Sequence, residues 1–267
     1  MNINADTLLP FFESRGIKIW GTCDIEKIRT HIIPLNRKID FLKNARSVIS
    51  FAFPYKIQVK KRNISYYAIG PDYHKIIMLI LSEICDDLAS EYKNFYFLPF
   101  CDNTVIPEVR AAIHSGLGVL GKNGLLINEI YGSWVFLAEI VTNLQIKHRD
   151  NVIKFCLNCG ICEKLCPGNA LCGGKLNKER CLSHISQKKG KLTVREEILL
   201  KKGNLIWGCD VCQEVCPANS KATVDPFFAL KKPKLEWLSE ENYHLYKDRA
   251  FFWRPKQVIE RNLKLFN

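Results

Sequence analysis

The stretch Cys156-Leu157-Asn158-Cys159-Gly160-Ile161-Cys162-Glu163-Lys164-Leu165-Cys166-Pro167 holds four cysteines at the spacing Cys-x2-Cys-x2-Cys-x3-Cys-Pro. This spacing is typical of bacterial ferredoxin segments that bind 4Fe-4S clusters, in which the fourth cysteine serves a second cluster. The following proline cannot donate a backbone hydrogen bond and fixes the direction in which the chain leaves. A structural zinc site needs only four ligands and lacks this paired form, so zinc is the weaker alternative. The stretch predicts a two-cluster domain.

A second run, Cys209-x2-Cys212-x3-Cys216-Pro217, is one cysteine short of the first. Two clusters need eight thiolates, and Cys172 and Cys181 compete for the remaining place. Cys172 lies in a predicted turn, whereas Cys181 begins a predicted helix and is favoured; Cys172 is then a free thiol. With the ferredoxin crossover, the predicted ligands are Cys156, Cys159, Cys162 and Cys216 for the first cluster, and Cys166, Cys181, Cys209 and Cys212 for the second.

Composition limits the class of protein. Of the 267 residues, 47% are hydrophobic and 25% charged, which is typical of a globular chain. No run approaches the ~18 apolar residues of a membrane span, and residues 1–6 lack the basic start of a signal peptide. We therefore expect a cytoplasmic protein with no membrane partner, whose 12 cysteines serve metal or redox chemistry. The net charge of +12 favours an anionic partner such as nucleic acid, or reflects lysine-rich usage in an ordinary enzyme.

Residues 1–150 contain no predicted cluster ligand and alternate between strand and helix patterns. One helix should begin at Asp72-Tyr73-His74 and end near Tyr92, and another should end at Gly116. The predicted apolar side of the longer helix comprises Ile76, Ile77, Leu79, Ile80, Ile84 and Leu88. The predicted strands are 45–53, 95–101 and 133–141, and the second helix is 107–115. The fold class is therefore α+β: an α/β domain at 1–150, a ferredoxin-like domain at 151–225 and a helical segment at 226–267.

Two further features indicate a ligand site in residues 1–150. The segment 116–123 contains Gly-x-Gly-x-x-Gly, but it follows a helix rather than a strand, which argues against a dinucleotide site. Its glycines and Lys122 predict a close approach to a phosphate or amide-bearing ligand, or a tight helix-to-strand connection. Asp102 follows a predicted strand, where a carboxylate is well placed for a site or for capping a helix. We expect His74 to lie on a helix surface or in the core rather than to bind a metal.

Together these motifs resemble the epoxyqueuosine reductase family from about Arg37 to the C-terminus. The resemblance is carried by both cysteine runs and by Asp72-Tyr73-His74, Asp102, Gly116-Leu117-Gly118-x2-Gly121-Lys122-Asn123, Tyr131-Gly132-Ser133-Trp134, Arg180-Cys181, Gly208-Cys209-Asp210 and Asn219. It implies a cytoplasmic enzyme that reduces epoxyqueuosine to queuosine in the wobble position of tRNA. The implied cofactors are two 4Fe-4S clusters and cobalamin, which we expect in its base-off form. Residues 1–150 would then be the cobalamin-binding domain.

The resemblance also implies roles for single residues. Asp102 matches the proposed proton donor, and Cys181 matches the extra cluster ligand. The implied cobalamin contacts are Ser65, Asp102, Lys122, Asn123, Leu126 and Ser183. The chain departs from the family at Tyr66, Val105, Val119 and Ala218. Many members also continue into a helical-repeat domain, whereas this sequence ends at Asn267, so we expect a compact form.

The implied partners are the tRNA anticodon stem-loop, bound by a basic surface, and a small electron donor such as ferredoxin or flavodoxin. We expect the protein to be a monomer. The basic residues are Lys175, Lys178, Arg180, Lys188, Lys189, Lys191, Lys201, Lys202, Lys231, Lys232, Lys234, Arg254, Lys256, Arg261 and Lys264. The alternatives are a corrinoid iron–sulfur reductase with another substrate, such as a reductive dehalogenase, and a two-cluster electron-transfer protein without a corrinoid.

Overall fold

The structure, a computed structural model, describes residues 1–32, 40–102, 105–148, 154–225, 227, 235 and 237–266. The chain divides into two compact units, each assembled from separate segments. The first comprises Met1–Phe53, His74–Leu120 and Val135–Phe155, and the second Pro54–Tyr73, Gly121–Trp134 and Cys156–Asn267. This division differs from the three consecutive domains expected from the sequence. Residues 54–73 and 121–134 belong with the cysteine runs, a long-range association that sequence order does not reveal.

A four-stranded sheet forms the centre of the first unit. Its strand order is β2 (Trp20–Asp24), β3 (Ser47–Pro54), β7 (Val135–Thr142) and β4 (Phe97–Phe100). The β2–β3 and β4–β7 pairs are antiparallel. All eight residues of β3 are buried, as expected for an inner strand covered on both faces. The three predicted strands are confirmed within a few residues at their ends.

Two helices follow the predicted pattern, and the second of them packs against β2 and β7 of the sheet. The long helix α3 (Tyr73–Glu91) and α4 (Glu108–His114) occupy the two predicted positions, and Gly116 follows α4 at φ 80°, a left-handed value that favours glycine. The predicted apolar side of α3 is wrong at Leu79, which is 63% exposed. Because successive helical residues turn by about 100°, Leu79 lies on the opposite side from Ile77. The fully buried row of α3 is Ile77, Leu81, Ile84 and Leu88.

Short elements complete the first unit. Strand β1 (Asn2–Asn4) pairs in parallel with β8 (Gln145–Lys147). The remaining regular elements are α1 (Leu9–Glu13), α2 (Phe41–Asn44) and β5 (Val119–Leu120). Arg15 forms an ion pair with Asp87 of α3 at 2.6 Å, which ties the segment after α1 to the long helix.

The second unit is made of short elements around the cysteines. They are β6 (Leu126–Ile127), α5 (Ile161–Lys164), β9 (Leu171–Cys172), β10 (Lys175–Leu176), α6 (Leu182–Gln187), α7 (Val194–Gly203), α8 (Val211–Glu214) and α9 (Lys256–Lys264). Cys181 precedes α6, as predicted. Thr193 and Glu196 form a reciprocal capping box that begins α7.

The C-terminal residues supply much of this unit's core. Phe251 and Ile259 are fully buried and share an apolar cluster with Trp207. The indole N–H of Trp207 donates to the Tyr67 hydroxyl at 2.6 Å, so this large side chain is both packed and hydrogen-bonded. Short 3-10 turns at Tyr243–Tyr246 and Ala250–Trp253 precede α9. Within the described residues, no helix has the length and apolar character needed to cross a membrane.

Candidate functional site

Four predicted ligands of the first cluster line one cavity in the second unit. Cys156, Cys159, Cys162 and Cys216 surround an open space of about 400 Å³, together with Lys122 and Asn123. Burial raises the pKa of the Cys162 thiol, and the nearby Cys216 and Cys156 raise it further. The cavity therefore brings together the cysteines that the crossover assigns to one cluster.

The other four predicted ligands also converge. Burial raises the pKa of the Cys209 thiol to about 12, and among the neighbours that raise it further are Cys181 and Cys166. The Cys212 pKa is raised by burial and by Cys209, Cys181 and Cys166. Cys181 rather than Cys172 thus lies beside this set, and Cys172 is exposed on β9.

Local backbone geometry explains the spacing of the first run. Asn158 and Gly160 both have positive φ, at 54° and 72°, so the chain reverses tightly before α5 begins at Ile161. This turn and the following helical turn direct three cysteines toward one cavity. Among the described residues, no three His, Cys, Asp or Glu side chains are grouped closely enough to share one metal ion.

Backbone donors also reach two of the sulfurs. The Lys122 N–H donates to Cys156 Sγ at 3.3 Å, and the Ala170 N–H donates to Cys166 Sγ at 3.2 Å. Hydrogen bonds of this kind stabilise negative charge on sulfur and raise the reduction potential of a bound cluster. The glycine-rich segment therefore supplies a donor to a cysteine, which is a role that the sequence did not suggest.

A buried carboxylate holds the second cysteine run to residues 62–66. Asp210 exposes no surface; its Oδ2 lies 2.9 Å from Arg62 Nη1, and its Oδ1 accepts the Ser65 hydroxyl at 2.6 Å. Burial raises the Asp210 pKa, whereas Arg62 and Ser65 favour its ionised form. Ser65, predicted to face a corrin, is itself fully buried. Its hydroxyl serves Asp210 in this structure.

The other predicted cobalamin contacts differ in accessibility. Leu126 and Asn123 are 2% and 7% exposed, and the Asn123 amide donates to the Cys212 carbonyl at 3.5 Å. Lys122 Nζ forms an ion pair with Glu163 at 3.0 Å. Ser183 is half-buried on α6, where its hydroxyl accepts from Gln187 at 3.5 Å. Asp102, Lys122 and Ser183 expose appreciable surface.

In the first unit, Asp102 is paired with His74. The Nε2 atom of His74 lies 2.9 Å from Asp102 Oδ2, and the two side chains are 35% and 44% exposed. Asp102 has φ 51°, a left-handed conformation that Asp tolerates better than most residues. Sequence reasoning identified Asp102 but left His74 without a role, because the 28 residues between them hide the contact.

The carboxyl groups of Glu108 and Glu139 also lie near Asp102. Burial raises the pKa of Glu108 to about 7, and the Asp102 carboxyl group raises it further. Two interactions lower the Glu108 pKa: a hydrogen bond from the Asp102 backbone N–H, and the contact with His74. Glu139 is fully buried in β7, and burial, Glu108 and Asp102 all raise its pKa. Sequence reasoning missed both residues. The available signal was a lone acid within the apolar strand 135–142, since a buried acid is rare without a partner.

The basic residues proposed to bind tRNA are partly engaged within the protein. Lys188 pairs with Glu196 at 2.7 Å, and the Arg261 guanidinium donates to the carbonyls of Lys188 and Gly190. Lys189 and Lys191 are exposed. Lys231, Lys232 and Lys234 lie outside the described residues.

Comparison with known proteins identifies the family. The family model "4Fe-4S double cluster binding domain" matches residues 155–219, and "Epoxyqueuosine reductase QueG, DUF1730" matches residues 39–103. An epoxyqueuosine reductase from Lactococcus garvieae is 34% identical over 242 residues, which cover 83% of this chain and 68% of that protein. The chain belongs to the epoxyqueuosine reductase family. Membership agrees with the resemblance found in the sequence and favours this family over the reductive dehalogenases.

Two other relatives show the extent of the likeness. The Staphylococcus aureus epoxyqueuosine reductase is 30% identical over 83% of this chain, but the chain spans only 63% of its length. A solved Bacillus subtilis epoxyqueuosine reductase, whose aspartate catalytic loop is swung out of its active site, superposes with TM-score 0.80 at 25% identity. That match covers 97% of this chain and 80% of the solved one. The mixed helix and sheet architecture is therefore that of the family.

Proposed function

We propose that this chain reduces epoxyqueuosine to queuosine in the wobble position of tRNA, using two 4Fe-4S clusters and cobalamin. The observation that carries the proposal is the convergence of the eight predicted cluster cysteines into two sets of four, in a chain of this family. Family membership supplies the substrate class, and the cysteines supply sites for electron carriers. Each relative named above is an epoxyqueuosine reductase.

The cysteine sets fit 4Fe-4S clusters. Thiolates are the ligands that such clusters require, and each set contains four. Cys156 and Cys166, one in each set, accept a backbone N–H at sulfur, which suits an anionic cluster. In chain order, residues 1–150 would supply the α/β domain, 151–225 the cluster ligands and 226–267 a helical segment. Residues 54–73 and 121–134 nevertheless pack with the cysteine runs.

Cobalamin is part of the proposal through family membership, and its fit to the predicted contacts is partial. Asp102, Lys122 and Ser183 expose surface to a ligand, whereas Ser65 and Leu126 are almost fully covered by protein. Bound cobalamin would supply low-valent cobalt chemistry for opening the strained C–O bond. We expect cobalamin to bind in its base-off form.

The protein's own contribution to the reaction is a proton. As a general acid, Asp102 would protonate the oxygen that stays on the neighbouring carbon when one C–O bond of the epoxide breaks. The His74 contact at 2.9 Å orients this carboxyl group. The catalytic loop of the Bacillus subtilis relative is likewise named for an aspartate.

The proposed partners are the tRNA anticodon stem-loop and a small electron donor such as ferredoxin or flavodoxin, with the enzyme acting as a cytoplasmic monomer. Lys189 and Lys191 are exposed and suit contact with phosphates. Lys188 and Arg261 contribute less, because they are engaged with Glu196 and backbone carbonyls.

The proposal is tested by anaerobic reconstitution with iron, sulfide and cobalamin, followed by assay on tRNA that carries epoxyqueuosine. Wild-type protein should form queuosine with a chemical reductant. A Cys209→Ser variant, which lacks one ligand of the second cluster, should not. A Cys172→Ser variant is the matched control and should match the wild type. Fully loaded wild-type protein that leaves epoxyqueuosine unchanged would contradict the proposal.

A further inference from the structure

The carboxyl groups behind Asp102 have no role in the reaction proposed so far. Glu139 is fully buried, and neither of its carboxyl oxygens has a hydrogen-bond partner among the described residues. A buried carboxylate without a partner is very costly, whereas a protonated carboxyl group is much less so. The structure therefore places a neutral acid in the interior of the sheet.

The sheet register brings this acid close to Asp102. Glu139 of β7 lies directly opposite Phe100, the last residue of β4, and Asp102 follows two residues later. Glu108 begins α4, which packs against β7. The backbone N–H of Asp102 donates to the Glu108 carboxyl group, so Glu108 holds the left-handed Asp102 in place.

The side chains around Asp102 include more acids than bases. Three carboxyl groups, those of Asp102, Glu108 and Glu139, interact electrostatically. A protonated His74 lowers the pKa of Glu108. The buried Cys23 thiol of β2 also lies near Glu139, and burial raises the pKa of this thiol, so it is neutral as well. Three ionised acids beside one histidine would place excess negative charge next to the fully buried Glu139, although Asp102 and His74 are partly exposed. At least one of these three carboxyl groups must therefore be protonated at neutral pH.

We propose that Glu108 is a positioning residue for Asp102: its carboxyl group fixes the Asp102 backbone and shares with Asp102 one of the two protons that the two-electron reduction of the epoxide consumes. Glu139, on β7, is the member of the three carboxyl groups that remains protonated within the sheet. When Asp102–H gives its proton to the oxygen of the opened epoxide, the Asp102 carboxylate recovers a proton from Glu108–H, and solvent then reprotonates Glu108. His74 alone would favour ionised Asp102, and Glu108 offsets that preference. This inference rests on the proposed function only for the identity of the acceptor.

The first measurement needs neither tRNA nor cobalamin. Infrared difference spectra of cluster-loaded protein report protonated carboxyl groups directly. A band present at pH 7.5 should disappear in Glu139→Gln, and a second band titrating near pH 7 should disappear in Glu108→Gln. Glu91→Gln, at the far end of α3 and about 25 Å along the helix from His74, is the control and should leave both bands. Absence of both bands from the wild type would overturn the proposal even if neither variant folds.

The second measurement is the pH profile of kcat. An ionised Glu108 favours the protonated form of Asp102, and glutamine removes that charge while keeping an oxygen for the Asp102 N–H. The fall in kcat with rising pH should therefore move about one pH unit lower in Glu108→Gln. Glu139→Gln replaces one neutral group by another and should keep the wild-type profile. An unmoved profile in Glu108→Gln would overturn the shared proton. If neither the wild type nor any variant turns over tRNA but the infrared bands behave as stated, the proposed function is wrong. The inferred protonation of Glu108 and Glu139 is then still supported.

Discussion

His74 Nε2 and Asp102 Oδ2 lie 2.9 Å apart, although 28 residues separate them in the chain. The contact joins the start of α3 to the second residue after β4, so two elements of the first unit fix the direction of one carboxyl group. A proton donor needs this kind of orientation more than it needs burial, since both side chains keep substantial exposure.

Asp102→Asn should lower kcat by at least about 100-fold, because an amide keeps the shape but cannot donate the proton. Iron and cobalamin contents should match those of the wild type, which separates the loss from misfolding. Substantial turnover by this variant under saturating tRNA would remove Asp102 from the role of acid.

His74→Gln should reduce kcat by about tenfold and change KM little, since it weakens the orientation of Asp102 without removing the acid. The matched control is His184→Gln, on a histidine 3.6 Å from Glu179 in the second unit. Equal effects of the two substitutions on steady-state kinetics would show that the contact with Asp102 has no catalytic importance.

Cys181→Ser should lower the iron content from about eight to about four atoms per chain, since it removes one ligand of the second cluster. The control is Cys172→Ser, at the exposed cysteine that competes for the same assignment. Iron analysis and electron paramagnetic resonance of both variants check this, and loss of a cluster in the Cys172 variant instead would reverse the assignment.

Arg62→Met should destabilise the protein by about 3–5 kcal/mol, because it leaves the fully buried Asp210 without its cation. Adding Asp210→Asn should recover part of this loss, since the uncompensated charge disappears. Anaerobic thermal unfolding of the two single variants and the double variant measures the coupling. Strict additivity would show that the ion pair does not contribute to stability.

Stability should fall as the pH rises through the region where Glu108 titrates. The folded protein raises the Glu108 pKa from 4.5 to about 7, so unfolding releases a proton between these values and each pH increment favours the unfolded state. Glu108→Gln should remove this dependence of stability on pH. The effect of the substitution on the free energy of unfolding should therefore be more favourable at pH 8 than at pH 5 by on the order of 1–2 kcal/mol. Denaturant unfolding at the two pH values decides it, and parallel losses in both proteins would contradict the raised pKa.

Much of the fold was predictable, because local patterns determined it. The apolar run at 45–53 corresponds to β3, and the Gly116 stop corresponds to the end of α4. Seven of the eight cluster cysteines were assigned from spacing, whereas the choice of Cys181 over Cys172 came from the predicted turn and helix and from the family resemblance. Leu79 was misplaced because apolar character was counted without the helical angle.

Long-range contacts could not be predicted. The positions of Ser65 and Asp210, 145 residues apart in the sequence, do not predict the 2.6 Å hydrogen bond between their side chains. The same holds for Glu108 and Glu139, whose proximity depends on how β7 registers with β4 and packs against α4. The grouping of residues 54–73 with the cysteines likewise depends on tertiary packing.

The most direct test of the account is the nucleoside composition of epoxyqueuosine-containing tRNA after incubation with reconstituted protein and reductant, read by mass spectrometry. Wild-type protein should convert epoxyqueuosine to queuosine, with loss of one oxygen atom, and equally loaded Asp102→Asn protein should not. Unchanged epoxyqueuosine with wild-type protein that contains both clusters and cobalamin would contradict it.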